Sequence, residues 1–224
     1  MNCLITAGPT YEPLDRVRRL TNFSTGSLGS RLAGHLAQAG HDVTLLLGEQ
    51  ATYPGPFSEH TIQRFSTTAD LMDRFRAHSQ KSMGAIFHAA AVSDFTFGKV
   101  LAQDEGGEWV EARSGKLSTR GGVLRAELVP TPKLLPQLRG LFPNALIVGW
   151  KFEVDGDRAQ VIERGRQQIQ DSQSDLCVVN GAAYGDGFGL LSARTSELKH
   201  ISDALTLFVA LAELLRAAPS SGSR

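Results

Sequence analysis

Cysteine, surplus charge and long apolar runs are all scarce in this 224-residue chain, and each scarcity excludes something. Only Cys3 and Cys177 are cysteines. Each sits inside an apolar run that reads as a strand, so they are expected as small buried thiols, not as a disulfide or a metal pair. Lysine plus arginine and aspartate plus glutamate both number 23. A formal charge of zero leaves no general electrostatic attraction to nucleic acid or to an anionic membrane. No apolar run is long enough to cross a bilayer and no signal peptide precedes the first strand, so the cytoplasm is the expected compartment. Also missing is the glycine fingerprint of a dinucleotide fold: only Gly8 follows the first strand, while Gly26 and Gly29 arrive after too long a loop. Tyr11, Tyr53 and Tyr184 are followed four residues on by Asp15, Phe57 and Phe188, so no tyrosine–lysine pair of the short-chain reductase type exists. A nicotinamide-dependent reductase, suggested by the HAAA segment and by Gly8, stands as the rival reading against those absences.

What is present is an alternation of strand and helix. With 42% hydrophobic residues, the chain can bury the core of one large domain. Residues 2–6 read as a strand leading into a long polar loop. A helix then starts at Ser27, with Leu28, Leu32 and Leu36 on one stripe. Residues 42–47 (DVTLLL) suit a parallel strand covered on both faces. Residues 62–66 form a third strand and a helix follows from Thr68, with Thr67 and Thr68 as its cap. Residues 84–90 make a fourth strand. The charged, glycine-rich stretch 98–130 breaks the rhythm and is expected as a hairpin or flap that leaves the main sheet. Beyond it come a helix from about Thr131, a strand over 145–150, a helix from about Arg158, a strand over 175–180 and a closing helix over 202–216. Residues 219–224 are expected to be disordered. The pattern predicts a single α/β domain over 1–218, a Rossmann-like three-layer fold with a mostly parallel sheet. Ligands of such sheets settle beyond the carboxyl ends of the strands. The segments AGPT, AAVSDF, GWKFE and VNGAAYG are therefore expected to face one crevice.

ITAGPT, YEPLD followed by VR, TNFSTGSLG, AAVSDF, SGKL, GWKFE and DLCVVN occur in that order and coincide with strand ends. Together they resemble the phosphopantothenate-cysteine ligase family, in the stand-alone form without the decarboxylase domain. The resemblance runs from residue 2 to about residue 189. It implies an amide-forming ligase of coenzyme A synthesis, in which the carboxylate of 4'-phosphopantothenate attacks the α-phosphorus of a nucleoside triphosphate and releases pyrophosphate. The amine of L-cysteine then displaces the nucleoside monophosphate. CTP, or ATP, is the implied cosubstrate, with Mg2+ on its phosphates. A homodimer with the active site near the subunit interface and a separate flavin-dependent decarboxylase as metabolic partner are implied as well.

The same resemblance assigns residues. Asn22 matches the asparagine tied to conversion of the acyl-nucleotide, and Ser24, Thr25 and Gly26 after it form a helix cap that doubles as an anion cradle. Lys116 in SGKL matches the flap lysine that closes over the phosphates and the forming intermediate. Asp94 matches the acid that accepts the cytosine amino group, which suits a carboxylate because it can only accept. Gly8, Ala90, Ala91 and Trp150 complete the expected nucleotide-binding surface, and Asn180 is expected to reach across the crevice, although Gly181 stands where the family has an aspartate. Two family lysines on the helix before DLCVVN are replaced by Gln168 and Ser172. Lys151 and Arg164 are the candidates to restore that charge, Lys151 first. The loss also sustains another reading, a non-catalytic relative that binds a phosphorylated metabolite or a partner subunit.

Overall fold

The structure is a computed structural model that describes residues 1–56, 61–104, 106–112, 114–118 and 122–217. The expected disorder of residues 219–224 concerns positions outside this set. In chain order the first elements are β1 (Asn2–Ala7), β2 (Tyr11–Pro13), β3 (Arg19–Thr21), α1 (Ser27–Gln38), β4 (Asp42–Gly48), β5 (Thr61–Phe65), α2 (Thr68–His78) and β6 (Ala85–His88). Next come β7 (Phe95–Gln103), β8 (Trp109–Glu111), β9 (Leu124–Pro130), α3 (Leu135–Leu141) and β10 (Leu146–Phe152). The chain then forms α4 (Arg158–Ser172), β11 (Leu176–Asn180), β12 (Phe188–Ser192), β13 (Thr195–Ile201) and α5 (Ala204–Ala217).

Among the described residues the main sheet has eight strands in the order β13-β12-β11-β10-β6-β1-β4-β5. The run from β11 to β5 is parallel, and β12 and β13 add an antiparallel edge. The fold is α/β and Rossmann-like, with the strand order reversing between β1 and β6. Apolar residues on alternate positions divide the core into two layers. Ile5, Val43, Leu45, Val148 and Val178 face α1 and α5, while Leu4, Leu46, Ile86 and Ile147 face α2 and α3. Val161 and Ile169 of α4 pack onto Cys177 and Val179 of β11 and Leu191 of β12. That helix starts on a capping box in which Asp157 and Gln160 satisfy each other's backbone N–H groups. Both cysteines are buried and free, and burial pushes each thiol up to about 12. No helix among the described residues is long and apolar enough to cross a membrane.

Besides the antiparallel β12–β13 edge, three features differ from the sequence reading. The polar stretch before α1 contains the β2–β3 hairpin. The flap is a three-stranded antiparallel sheet, β8-β7-β9, that begins earlier, at Phe95. The helix expected from Thr131 starts only at Leu135, because Pro132 holds the preceding segment extended and Pro136 fits only in a first turn.

Candidate active site

The point where the strand order reverses is closed at its base. Ala91 N–H donates to Gly8 O at 3.0 Å, Thr10 N–H donates to Ala91 O at 3.1 Å, and Ser93 N–H donates to the buried Thr10 Oγ1 at 2.8 Å. The AGPT segment is thus a buried foundation and does not face the crevice. Gly8, expected to touch a nucleotide, is part of it. Its φ of +80° is left-handed and a Cβ there would lie 2.8 Å from Ala51 Cβ. Gly26 rides directly above, at the same φ, with room for no Cβ over Gly8 Cα. Gly8 therefore seats the loop that carries the cap.

Above this base, over the carboxyl ends of β6, β10 and β11, lies an open cavity of about 1190 Å3. Asn22, Ser24, Thr25, Gly26, Ala90, Ala91, Asp94, Trp150, Lys151, Arg164 and Asn180 all line it. On the α1 side, Asn22 Nδ2 donates to Ala91 O at 3.1 Å, using one of its two amide protons. The helix begins at Gly26 without a side-chain cap; Ser24 does not cap, and Thr25 Oγ1 accepts only from Ser27 N–H at 3.3 Å. Ser27, Leu28 and Gly29, whose N–H groups have no acceptor within the helix, line the cavity there. Deeper on the same side, Trp150 Nε1 and Asn180 Oδ1 are buried without a hydrogen-bond partner among the described residues. A buried donor and a buried acceptor left unpaired are costly, and a polar ligand would satisfy both.

The α4 side carries the charge. Lys151 Nζ lies 3.1 Å from Glu153 Oε1, and Arg164 Nη1 lies 2.5 Å from Glu153 Oε2. The trio of two cations and one carboxylate carries one net positive charge, and Asp171 of α4 also lines the cavity on this side. Gln168 and Ser172, where lysines are expected from the resemblance, also line the cavity, but their polar groups are engaged: Gln168 Nε2 donates to Trp150 O at 3.3 Å, and Ser172 Oγ donates to Gln168 O at 2.5 Å. At the mouth, Asp94 is paired with Lys133, both side chains being about two-thirds exposed. Such an exposed pair is worth about 1 kcal/mol or less, so a ligand can take the carboxylate. His88 on the cavity floor is buried, which pulls its imidazole down to about 4 and keeps it neutral. No three His, Cys, Asp or Glu side chains cluster to hold a metal among the described residues.

The profile of the DNA/pantothenate metabolism flavoprotein C-terminal domain family matches residues 1–204. The chain belongs to that family. It is 31% identical to the coenzyme A biosynthesis bifunctional protein CoaBC of Thermococcus kodakarensis over 178 residues, which cover 79% of this chain and 40% of that protein. The Mycolicibacterium smegmatis protein of the same name is 32% identical over 217 residues, 92% of this chain and 50% of that one. The chain spans half or less of the length of these relatives. Among solved structures, the DNA/pantothenate metabolism flavoprotein of Streptococcus pneumoniae matches with a TM-score of 0.82 and 25% identity, covering 97% of this chain and 99% of that one.

Within this family member, Lys116 stands apart from the other site residues. It is exposed on the segment between β8 and β9 and does not line the cavity. Other residues at the site carried too weak a signal to be singled out from the sequence. Lys133 enters the cavity from the segment leading into α3 and Leu135 from the first residue of that helix; the two prolines flanking them are the legible clue. Glu153 lies within GWKFE, and nothing local reveals that it gathers two cations from different elements. The β1–α1 connection, a hairpin instead of a tight glycine turn, offers no dinucleotide pyrophosphate site of the usual kind.

Proposed function

We propose that the chain catalyses the ligation of 4'-phosphopantothenate to L-cysteine through an acyl-nucleotide. The observation that carries this reading is the meeting of Asn22, Asp94 and Lys151 around one cavity at the switch of strand order. A carboxylate oxygen of phosphopantothenate attacks the α-phosphorus, the bond to pyrophosphate breaks, and an acyl-nucleotide results. The cysteine nitrogen then attacks the acyl carbon, loses a proton, and expels the nucleoside monophosphate with the bridging oxygen. Both steps gather negative charge, so positioned donors and cations carry the catalysis. Lys151 and Arg164, ordered by Glu153, neutralise the phosphates. The second amide proton of Asn22 donates to the acyl oxygen as the amine attacks, and Lys116 stabilises the phosphoryl charge when the flap approaches. Trp150 and Asn180 supply a donor and an acceptor to the bound intermediate.

Asp94 accepts from the exocyclic amine of a base, which favours CTP or ATP over UTP, with CTP preferred. Mg2+ belongs to this chemistry, and the lack of a cluster of three His, Cys, Asp or Glu side chains among the described residues fits a divalent cation carried in on the nucleotide phosphates. Exposed Phe23 and Phe152 at the cavity and Val123 and Leu128 on the flap support a homodimer whose second copy covers the site. A cytoplasmic enzyme working with a separate flavin-dependent decarboxylase is the matching cellular reading. The test is pyrophosphate release with CTP, ATP, GTP and UTP, with and without phosphopantothenate. Release that needs phosphopantothenate is expected with CTP above the others; no release with any nucleotide would leave a metabolite-binding relative instead.

A further inference from the structure

The turn of the β2–β3 hairpin holds the flap as well as reversing the chain. Asp15 is the centre of it, with a side chain only 1% exposed. Its Oδ1 accepts from Val17 N–H at 2.8 Å and Arg18 N–H at 2.7 Å, which is the ordinary work of an aspartate in a turn. Its Oδ2 does something else. That oxygen accepts from Arg18 Nε at 3.0 Å, from Arg18 Nη2 at 2.5 Å and, across the molecule, from Leu117 N–H at 3.1 Å. Arg18 Nη2 also donates to Leu117 O at 2.8 Å, and Arg16 N–H donates to Gly115 O at 3.0 Å. Both neighbours of Lys116 are therefore bonded to one turn, while Lys116 itself stays exposed. The buried Leu117 side chain adds an apolar anchor. The other end of the hairpin is equally fixed. Thr21 Oγ1 donates to Thr10 O at 2.9 Å, and the next residue, Asn22, is bonded to Ala91 O.

We propose that Asp15 is a positioning residue for the reaction: through Leu117 and Arg18 it ties the segment bearing Lys116 to the hairpin that ends in Asn22. One rigid hairpin thus sets the approach of the ammonium relative to the amide. The inference rests on the role given to Lys116 above. A misplacement of about 1 Å costs up to about a hundredfold in rate, so the anchor has kinetic consequences even though Asp15 touches no substrate.

A double-mutant cycle on kcat tests it. Lys116→Ala is expected to lose about 100-fold and Asp15→Asn about 10-fold, with little change in KM for the nucleotide. The double variant should lose no more than Lys116→Ala alone, because an anchor has nothing to position once the lysine is gone. Multiplying losses, near 1000-fold, or a faster Asp15→Asn enzyme would overturn the proposal while leaving Lys116 in its role. A loss of fivefold or less in Lys116→Ala would overturn the role itself, and the inference with it. A second readout needs no activity: trypsin should cleave after Lys116 at least about tenfold faster in Asp15→Asn than in the parent, and equal rates would count against the anchor. If Asp15→Asn does not fold, Asp15→Glu, which keeps the charge and shifts it by one methylene, takes its place in both measurements.

Discussion

Gly29 shows how little slack a single position has. A Cβ there would lie 2.7 Å from Ala7 Cβ and 2.9 Å from Thr6 O, backbone that cannot turn aside. Gly29→Ala must lift α1 off β1. Overpacking of this kind costs about 1–3 kcal/mol, so Tm should fall by several degrees; an unchanged Tm would mean that the helix moves without cost. Lys116→Ala tests a residue whose neighbours are fixed and whose own side chain is not. If its ammonium stabilises transition-state charge, kcat should fall by about 2–4 kcal/mol, or roughly 30- to 1000-fold, with steady-state rates of pyrophosphate release as the measure. Asn22 was legible because an asparagine ahead of Ser, Thr and Gly at a helix start invites a reason beyond capping. Asp15 was not, because a turn aspartate looks the same in sequence whether or not it reaches a segment about a hundred residues away.

At the scale of elements, the site depends on β10 and α4 presenting their cations together. Lys151 leaves β10 at its carboxyl end and Arg164 stands nearly two turns into α4, and Glu153 joins them. Lys151→Ala should raise KM for the nucleotide about tenfold, equivalent to about 1.4 kcal/mol, with kcat nearly unchanged. Unaltered KM in initial-rate assays would remove Lys151 as the replacement for the missing lysines. The long elements were readable because their signals are long. Leu28, Leu32 and Leu36 repeat with the helical period, and DVTLLL is too apolar for anything but a strand covered on both faces. The short ones were not. Tyr11–Pro13 and Arg19–Thr21 contribute three residues each, with burial patterns that show no alternation. The β12–β13 hairpin mixes apolar Leu190 and Leu191 with a polar partner strand, Thr195–Ile201, whose pairing only the neighbouring β11 makes worthwhile. The late start of α3 was written in Pro132 and Pro136, but the apolar Leu134, Leu135 and Leu138 pull a periodicity reading earlier.

For the molecule as a whole, the buried floor of the cavity links folding to pH. His88 lies at the end of β6 in the middle of the sheet, 7% exposed, with its Nδ1 2.9 Å from Thr6 Oγ1. Ala90 N–H donates to that same hydroxyl at 3.1 Å, which ties the imidazole to the turn that follows β6. Burial holds the folded-state value at about 4, whereas an unfolded histidine titrates near 6.5. Above about pH 6.5 neither state is charged and His88 costs nothing. As pH falls from there to about 4 the unfolded chain takes up a proton that the folded one refuses, so stability drops by about 1.4 kcal/mol per pH unit, about 3 kcal/mol in all, and then levels off. His35, His41 and His78 are also pulled down, mainly by burial, and act in the same direction. The carboxylates act in a separate window: Asp203, held at about 2 by its hydrogen bonds from Thr206, loses its contribution only as pH falls below the ordinary carboxylate range. Urea unfolding between pH 7.5 and 4 should therefore show stability level to about pH 6.5 and falling below it, and His88→Gln should flatten that fall by about one proton's worth of slope. An identical slope in the variant would mean that the imidazole charges without unfolding the sheet, and that the floor of the cavity is wet enough to solvate it.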